Sequence, residues 1–128
     1  MRKAALAALL LVPVTALAQE PTCKRSPALT GQCRIVKGSL GFTPGLGVTL
    51  AAEDGSETLI KAPPDSNADI AAPVMQNWLY WQSQTGSMRT RITGSYELCP
   101  LPPAAISGII RETGCINKGS CITRDKGS

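Results

Sequence analysis

Over residues 34–42 the chain reads RIVKGSLGF, with Val36, Leu40 and Phe42 on one side of an alternating pattern and Lys37 and Ser39 on the other. A period of two places such residues on opposite faces of a half-buried strand. Gly38 interrupts the run, and a glycine inside a strand marks a bulge or the sharp bend by which small barrels turn their corners. TPGLG then supplies a turn, VTLAAE a second strand, DGS a tight turn and ETLIKA a third strand, with Asp54 and Gly55 as the hairpin signal. Together these three strands are expected to form a meander.

The stretch APPDSNADIAAPVMQNWLYWQSQTGS breaks the alternation. It opens with loop-forming residues, after which Val74, Trp78 and Trp81 recur at helical spacing and Pro73 suits a first turn. The spacing predicts a helix of about ten residues over 73–81 that covers one end of a barrel. A strand or an ordered loop is the alternative, because Trp78, Tyr80 and Trp81 also suit strands. MRTRITGSYEL resumes the alternation, with Met88, Ile92, Tyr96 and Leu98 facing inward and Arg89, Arg91, Ser95 and Glu97 forming a wet face. Gly94 repeats the mid-strand glycine of Gly38, so the two strands are expected to bend at matching places. Cys99 falls at the end of this strand, where Pro100, Pro102 and Pro103 are expected to stop pairing.

AISGIIRETGCI reads as a further strand, and residues 123–128 as a disordered tail. The predicted fold is mainly β: a small five- to six-stranded barrel, OB-like, with one short helix and stabilising disulfides. A β-sandwich is the alternative. One domain, residues 19–122, accounts for the whole pattern.

The N-terminus changes where this domain is expected to reside. Arg2 and Lys3 precede an uncharged apolar run over residues 4–17, ending in Ala16, Leu17 and Ala18. This is the pattern of a secretory signal peptide, residues 1–18, cleaved near Ala18. Interrupted by Pro13, the run falls short of the roughly 20 residues of a spanning helix, so no membrane span is expected. The mature protein is expected to be periplasmic or secreted. Of 13 Lys and Arg residues, two leave with the signal peptide, so eleven face nine Asp and Glu. That balance does not argue for nucleic acid as a partner. The chain has no His, which removes the commonest general base and the commonest zinc nitrogen ligand.

All five cysteines, Cys23, Cys33, Cys99, Cys115 and Cys121, follow the signal peptide. In an oxidising compartment a domain this small gains from cross-links, and two bridges with one leftover thiol are expected. A bridge between Cys115 and Cys121 would close a terminal hairpin over INKGS. Cys99 with Cys115 would instead close a loop of about 15 residues, worth about 3 kcal/mol in the chain-entropy model, and is the leading pair. A metal site or a redox thiol is disfavoured, because no CxxC occurs.

CRIVKGSLGF, GSYELCPLPP and IIRETGCI together resemble an uncharacterised family of short exported bacterial proteins with CxxVxGxLxxYNG and GDFxVCPL-type motifs and a later VCV strand. The matching positions are Cys33, Val36, Gly38, Leu40, Gly94, Tyr96, Leu98, Cys99, Pro100, Leu101 and Cys115. The resemblance implies export and a β fold but supplies no activity, and the place of Cys115 in its motifs favours it as the partner of Cys99.

Candidate chemistry is sparse. Ser26 with Lys24 and Ser39 with Lys37 are close only in sequence, and Glu53, Asp54 and Glu57 surround a turn, where acidic residues are expected. No enzyme activity, cofactor or metal is therefore expected. NWLYWQ with Arg89 and Arg91 has the composition of a recognition surface, so Trp78, Tyr80, Trp81, Arg89 and Arg91 are the candidate contacts with a ligand or partner such as an envelope protein or glycan. Core or lid packing is the competing role for the tryptophans. The expected role is a binding or interaction module. The alternative is an inhibitor of an envelope enzyme such as a lysozyme or protease, presenting the proline segment.

Overall fold

A computed structural model describes residues 23–125. The expected signal peptide and its cleavage point lie outside the described residues, as do residues 126–128. Five strands, β1 (Arg34–Thr43), β2 (Gly47–Ala52), β3 (Glu57–Ile60), β4 (Ile92–Ile106) and β5 (Ile109–Arg124), close into a barrel in the order β1-β2-β3-β5-β4. One helix, α1 (Ala72–Thr85), connects β3 to β4. β3 and β5 pair in parallel and the other neighbours are antiparallel. This is the OB-like arrangement that the alternation predicts.

Closure depends on β1, which pairs with β2 along one edge and β4 along the other. At Gly38 the two ladders overlap, for it stands opposite Ala52 and Gly94 together. A Cβ there would press into the Ala51 carbonyl oxygen and lie 3.0 Å from Ala52 Cα. Only a residue without a Cβ lets the strands coil this tightly. Gly38→Ala is therefore expected to destabilise the protein by about 1–3 kcal/mol. Gly31→Ala, whose added carbon would meet only Pro100 Cγ at 3.6 Å, is expected to be neutral. Urea unfolding of the pair checks this, and equal midpoints would remove the steric account.

The barrel interior holds Leu40, Leu50, Ile60, Ile70, Val74, Trp78, Ile92, Tyr96, Leu98 and Ile116. Helix α1 contributes Val74 and Trp78 across one end of the barrel. Its approach is fixed by Ala71 N–H donating to the Ile116 carbonyl and Ile116 N–H donating to Asp69, both at 2.9 Å. Pro73 sits in the first turn, and Gly86, at φ 73°, ends the helix by donating its N–H to the Gln82 carbonyl at 2.8 Å. The helix is thus longer than the predicted 73–81 but of the predicted type.

Several expectations are corrected. β4 begins at Ile92, not at Met88, which is 73% exposed. Local hydrogen bonds hold residues 87–90 in a turn: Arg89 N–H donates to Ser87 Oγ, and Thr90 Oγ1 to the Ser87 carbonyl, both at 3.0 Å. The prolines do not stop β4 either. β1 pairs with β4 only as far as Leu98, so beyond it Pro100, Pro102 and Pro103 lie where one edge needs no donor, with a register shift between Leu101 and Ala104. The turn falls instead at Ser107 and Gly108, both with positive φ. Finally, β5 continues through Cys115 and Cys121, so no hairpin encloses INKGS. It pairs Thr123 with Thr93 and Arg124 with Ile92, which places the first residues of the expected disordered tail in the sheet.

A second, smaller core lies outside the barrel wall. A 3-10 turn (Cys23–Arg25) and the segment after it cover the outer face of β4 and β5, where Cys23, Cys99, Leu101 and Cys115 are buried against Ala28, Leu29 and Cys33. Two disulfides hold this N-terminal strap, Cys23–Cys115 and Cys33–Cys99, and Cys121 is exposed and unpaired. The expected Cys99–Cys115 bridge is thereby overturned, and so is Cys115–Cys121. Cys99 and Cys115 do stand opposite each other in the ladder, but each is bonded to a cysteine of the strap that lies over them.

Candidate functional site

The strap also buries Glu97, a residue expected on a wet face and here only 8% exposed. Asn117 Nδ2 donates to its carboxylate at 2.8 Å, and Lys24 Nζ lies 3.2 Å from the other oxygen. The Asn117 hydrogen bond is the main reason its pKa is held below the usual glutamate value. Burial works in the opposite direction, and Lys24 adds to the lowering. Tyr96, inside the barrel, donates to the Ile92 carbonyl at 2.8 Å. Burial, with the Asp125 charge second, pushes its phenol well above the ordinary tyrosine range, while Arg91 partly offsets this.

The two groups set opposite limits on stability. A depressed Glu97 pKa contributes stability above the unfolded glutamate value that is lost as pH falls through the folded value. A raised Tyr96 pKa contributes stability that is complete below the unfolded value, about 10, and is lost as pH rises above it. Glu97→Gln is expected to flatten the acid limb of a stability-pH curve, and Tyr96→Phe the alkaline limb above pH ~10. Unchanged limbs in these variants would contradict the assignments.

At the barrel end, α1, the last residues of β1, the start of β2 and the turn at Met88 enclose an apolar groove of about 290 Å³. Phe42, Val48, Met75, Trp78, Gln82 and Met88 line it, and Gln82 is the single side chain with a polar head. Trp78 is 4% exposed and donates Nε1–H to the Thr90 carbonyl at 2.8 Å, which locks its ring against the groove. Phe42 and Met88 stand at the rim, exposed. Two roomier depressions, about 430 Å³ around Lys24, Leu29, Cys33 and Glu97 and about 420 Å³ around Arg34, Ile35, Lys37, Glu53 and Asp54, mix charged with uncharged walls. The smaller groove better matches the apolar, concave character of ligand sites.

The candidate contacts divide into separate environments. Trp78 belongs to the core and forms part of the groove. Tyr80 is 54% exposed and meets the half-buried Trp81 edge to face, with ring centroids 5.0 Å apart, and the Arg124 guanidinium lies 5.9 Å from the Trp81 ring. Arg89 is exposed. Arg91 is half-buried on the outer barrel face, donating to Ser39 Oγ at 2.8 Å, the Ser39 carbonyl at 2.7 Å and the Thr49 carbonyl at 3.2 Å. Its guanidinium is engaged within the fold. Sequence reasoning missed Phe42, Val48, Met75, Gln82 and Met88. Phe42 carried a signal, because it continues the alternation of Val36 and Leu40 to the penultimate residue of β1, and the structure leaves it 45% exposed there.

The sulfurs of Cys23, Cys99 and Cys115 lie within 4.8 Å of one another. All three are in disulfides, so they offer no thiolate of the kind a metal ion takes. No family model matches this chain, and no curated protein or solved structure matches it.

Proposed function

We propose that this protein is an exported, periplasmic binding module without enzymatic activity, and that the groove at Trp78 receives an apolar side chain of an envelope protein. The groove carries this reading. A concave site with apolar walls and a single polar head selects a branched aliphatic or aromatic group, whereas a glycan needs several convergent hydrogen-bonding groups. Export draws support from the N-terminal pattern and from two disulfides, which persist in oxidising compartments. Among the described residues no helix is long and apolar enough to cross a membrane. Membership of the exported family that the strand motifs resemble is part of the same proposal.

The test is methyl NMR of Met75 and Met88 during titration with N-acetyl amino-acid amides, aliphatic and aromatic, and separately with soluble peptidoglycan fragments. Apolar amides are expected to shift both methyl signals and the fragments to leave them in place. Met88→Glu, at an exposed rim position, is expected to abolish the shift of the remaining Met75 methyl with the melting temperature unchanged. Saturating amide with no shift at either methionine would dismiss the groove as a site.

One observation favours the inhibitor reading as a second possibility. Beyond Leu98 of β4 and before Thr113 of β5 no third strand pairs with the β4–β5 ribbon, among the described residues. Residues 98–110 of that ribbon carry no charge, and Ile110 is 71% exposed. Envelope hydrolase activity that falls on adding the protein, and recovers with Ile110→Asp, would favour inhibition.

A further inference from the structure

The strap is fastened to the barrel by two disulfides whose sulfurs gather in one place. Cys23 and Cys33 both come from the strap, and Cys99 and Cys115 stand directly opposite each other on β4 and β5. Sγ of Cys99 lies within 4.8 Å of the sulfurs of both Cys23 and Cys115, although it is bonded to neither. Cys33 is the half-exposed member of the cluster, and the other three are buried. Besides the disulfides the strap is held by few polar contacts: Thr30 N–H to the Pro100 carbonyl at 3.0 Å, Lys24 to Glu97 at 3.2 Å, and Ser26 Oγ to Asp65 at 2.8 Å.

We propose that the four half-cystines form an exchangeable cluster in which an external thiol converts the pairs Cys23–Cys115 and Cys33–Cys99 into Cys99–Cys115 and Cys23–Cys33, releasing the strap from the barrel. The thiolate attacks Sγ of Cys33, the one half-exposed residue of the four. A mixed disulfide forms there, the Cys33–Cys99 bond breaks, and its electron pair leaves on Cys99. The Cys99 thiolate attacks Cys115 Sγ across the ladder, forming Cys99–Cys115 and expelling Cys23 as a thiolate. Cys23 then attacks Cys33 Sγ, forming Cys23–Cys33 and returning the external thiolate. Three bonds form and three break, no net oxidation occurs, and the thiol acts as a catalyst. The barrel supports the product because the ladder already holds Cys99 and Cys115 side by side. Release uncovers Leu101 and Glu97, so a partner that binds the freed face or the freed strap draws the exchange forward.

The sequence makes the test direct, since Lys24, Arg34, Arg111 and Lys118 place all five cysteines in separate tryptic peptides. The Cys121→Ser protein, which lacks the exposed free thiol, is incubated with reduced glutathione well below the concentration that reduces it, then acid-quenched, thiol-blocked and digested. The expected product joins residues 92–111 to 112–118, rising several-fold above the glutathione-free control while total protein thiol stays constant. A Cys33→Ala, Cys121→Ser variant leaves Cys99 as a free thiol, and part of the blocking label is expected to move from Cys99 to Cys23 without added thiol. Persistence of only the original pairs in the glutathione experiment overturns the proposal. That measurement alone decides if the second variant does not fold.

Discussion

Full reduction with excess dithiol is expected to unfold the barrel under conditions in which the oxidised protein is stable. Cys33–Cys99 joins positions 66 apart, and Cys23–Cys115, 92 apart, encloses it. In the chain-entropy model the inner closure alone is worth about 4 kcal/mol. The outer one then closes only the remaining ~26 residues and adds about 3.5, giving roughly 8 kcal/mol together. A domain of this size has about 5–15 kcal/mol of total stability, so losing both bridges removes most or all of it. Cys33→Ala with Cys99→Ala is expected to cost about 4 kcal/mol, and Cys121→Ser nothing, because Cys121 is exposed and unpaired. Urea unfolding followed by circular dichroism, with and without dithiol, measures each. A reduced protein whose midpoint barely moves would mean that the barrel core suffices by itself and the bridges are incidental.

That long reach across the chain explains why the pairing was not legible in the sequence. Loop length favours Cys99 with Cys115, and their adjacency in the ladder is real. What decides the outcome is the strap, whose residues lack any periodic pattern and which folds over the barrel from far away in sequence. Alternation did place Val36, Leu40, Ile92, Tyr96 and Leu98 on the inner face, and the matching glycines Gly38 and Gly94 meet as cross-strand partners. It failed at Met88, where Arg89 N–H donating to Ser87 Oγ and Thr90 Oγ1 donating to the Ser87 carbonyl hold a turn inside an apparently strand-like run. It failed again at the prolines, because whether a strand tolerates them depends on how far its neighbour extends. The groove was partly legible through Trp78. Its other walls come from β1, β2, α1 and a turn, segments with no local relation to one another.

Replacing Trp78 with Ala is expected to destabilise the protein by about 3–5 kcal/mol, the range for emptying a buried aromatic site. The ring is the largest buried side chain of α1, and Trp78 Nε1–H satisfies the Thr90 carbonyl, which ties the helix to the turn that precedes β4. Trp78→Phe keeps much of the volume but leaves that carbonyl without its donor, and is expected to cost about 1–3 kcal/mol. Tyr80→Ala, two residues along and more than half exposed, is expected to change stability by less than about 0.5 kcal/mol. The ordering of the three tests the helix register directly. If Tyr80→Ala cost as much as Trp78→Ala, the opposite face of the helix would be the buried one, and the groove would not exist as described. The same series separates folding from binding, because Trp78→Phe keeps an aromatic wall. It is expected to retain the Met75 and Met88 methyl shifts with apolar amides at reduced affinity, whereas Trp78→Ala, with its wall removed, is expected to lose them.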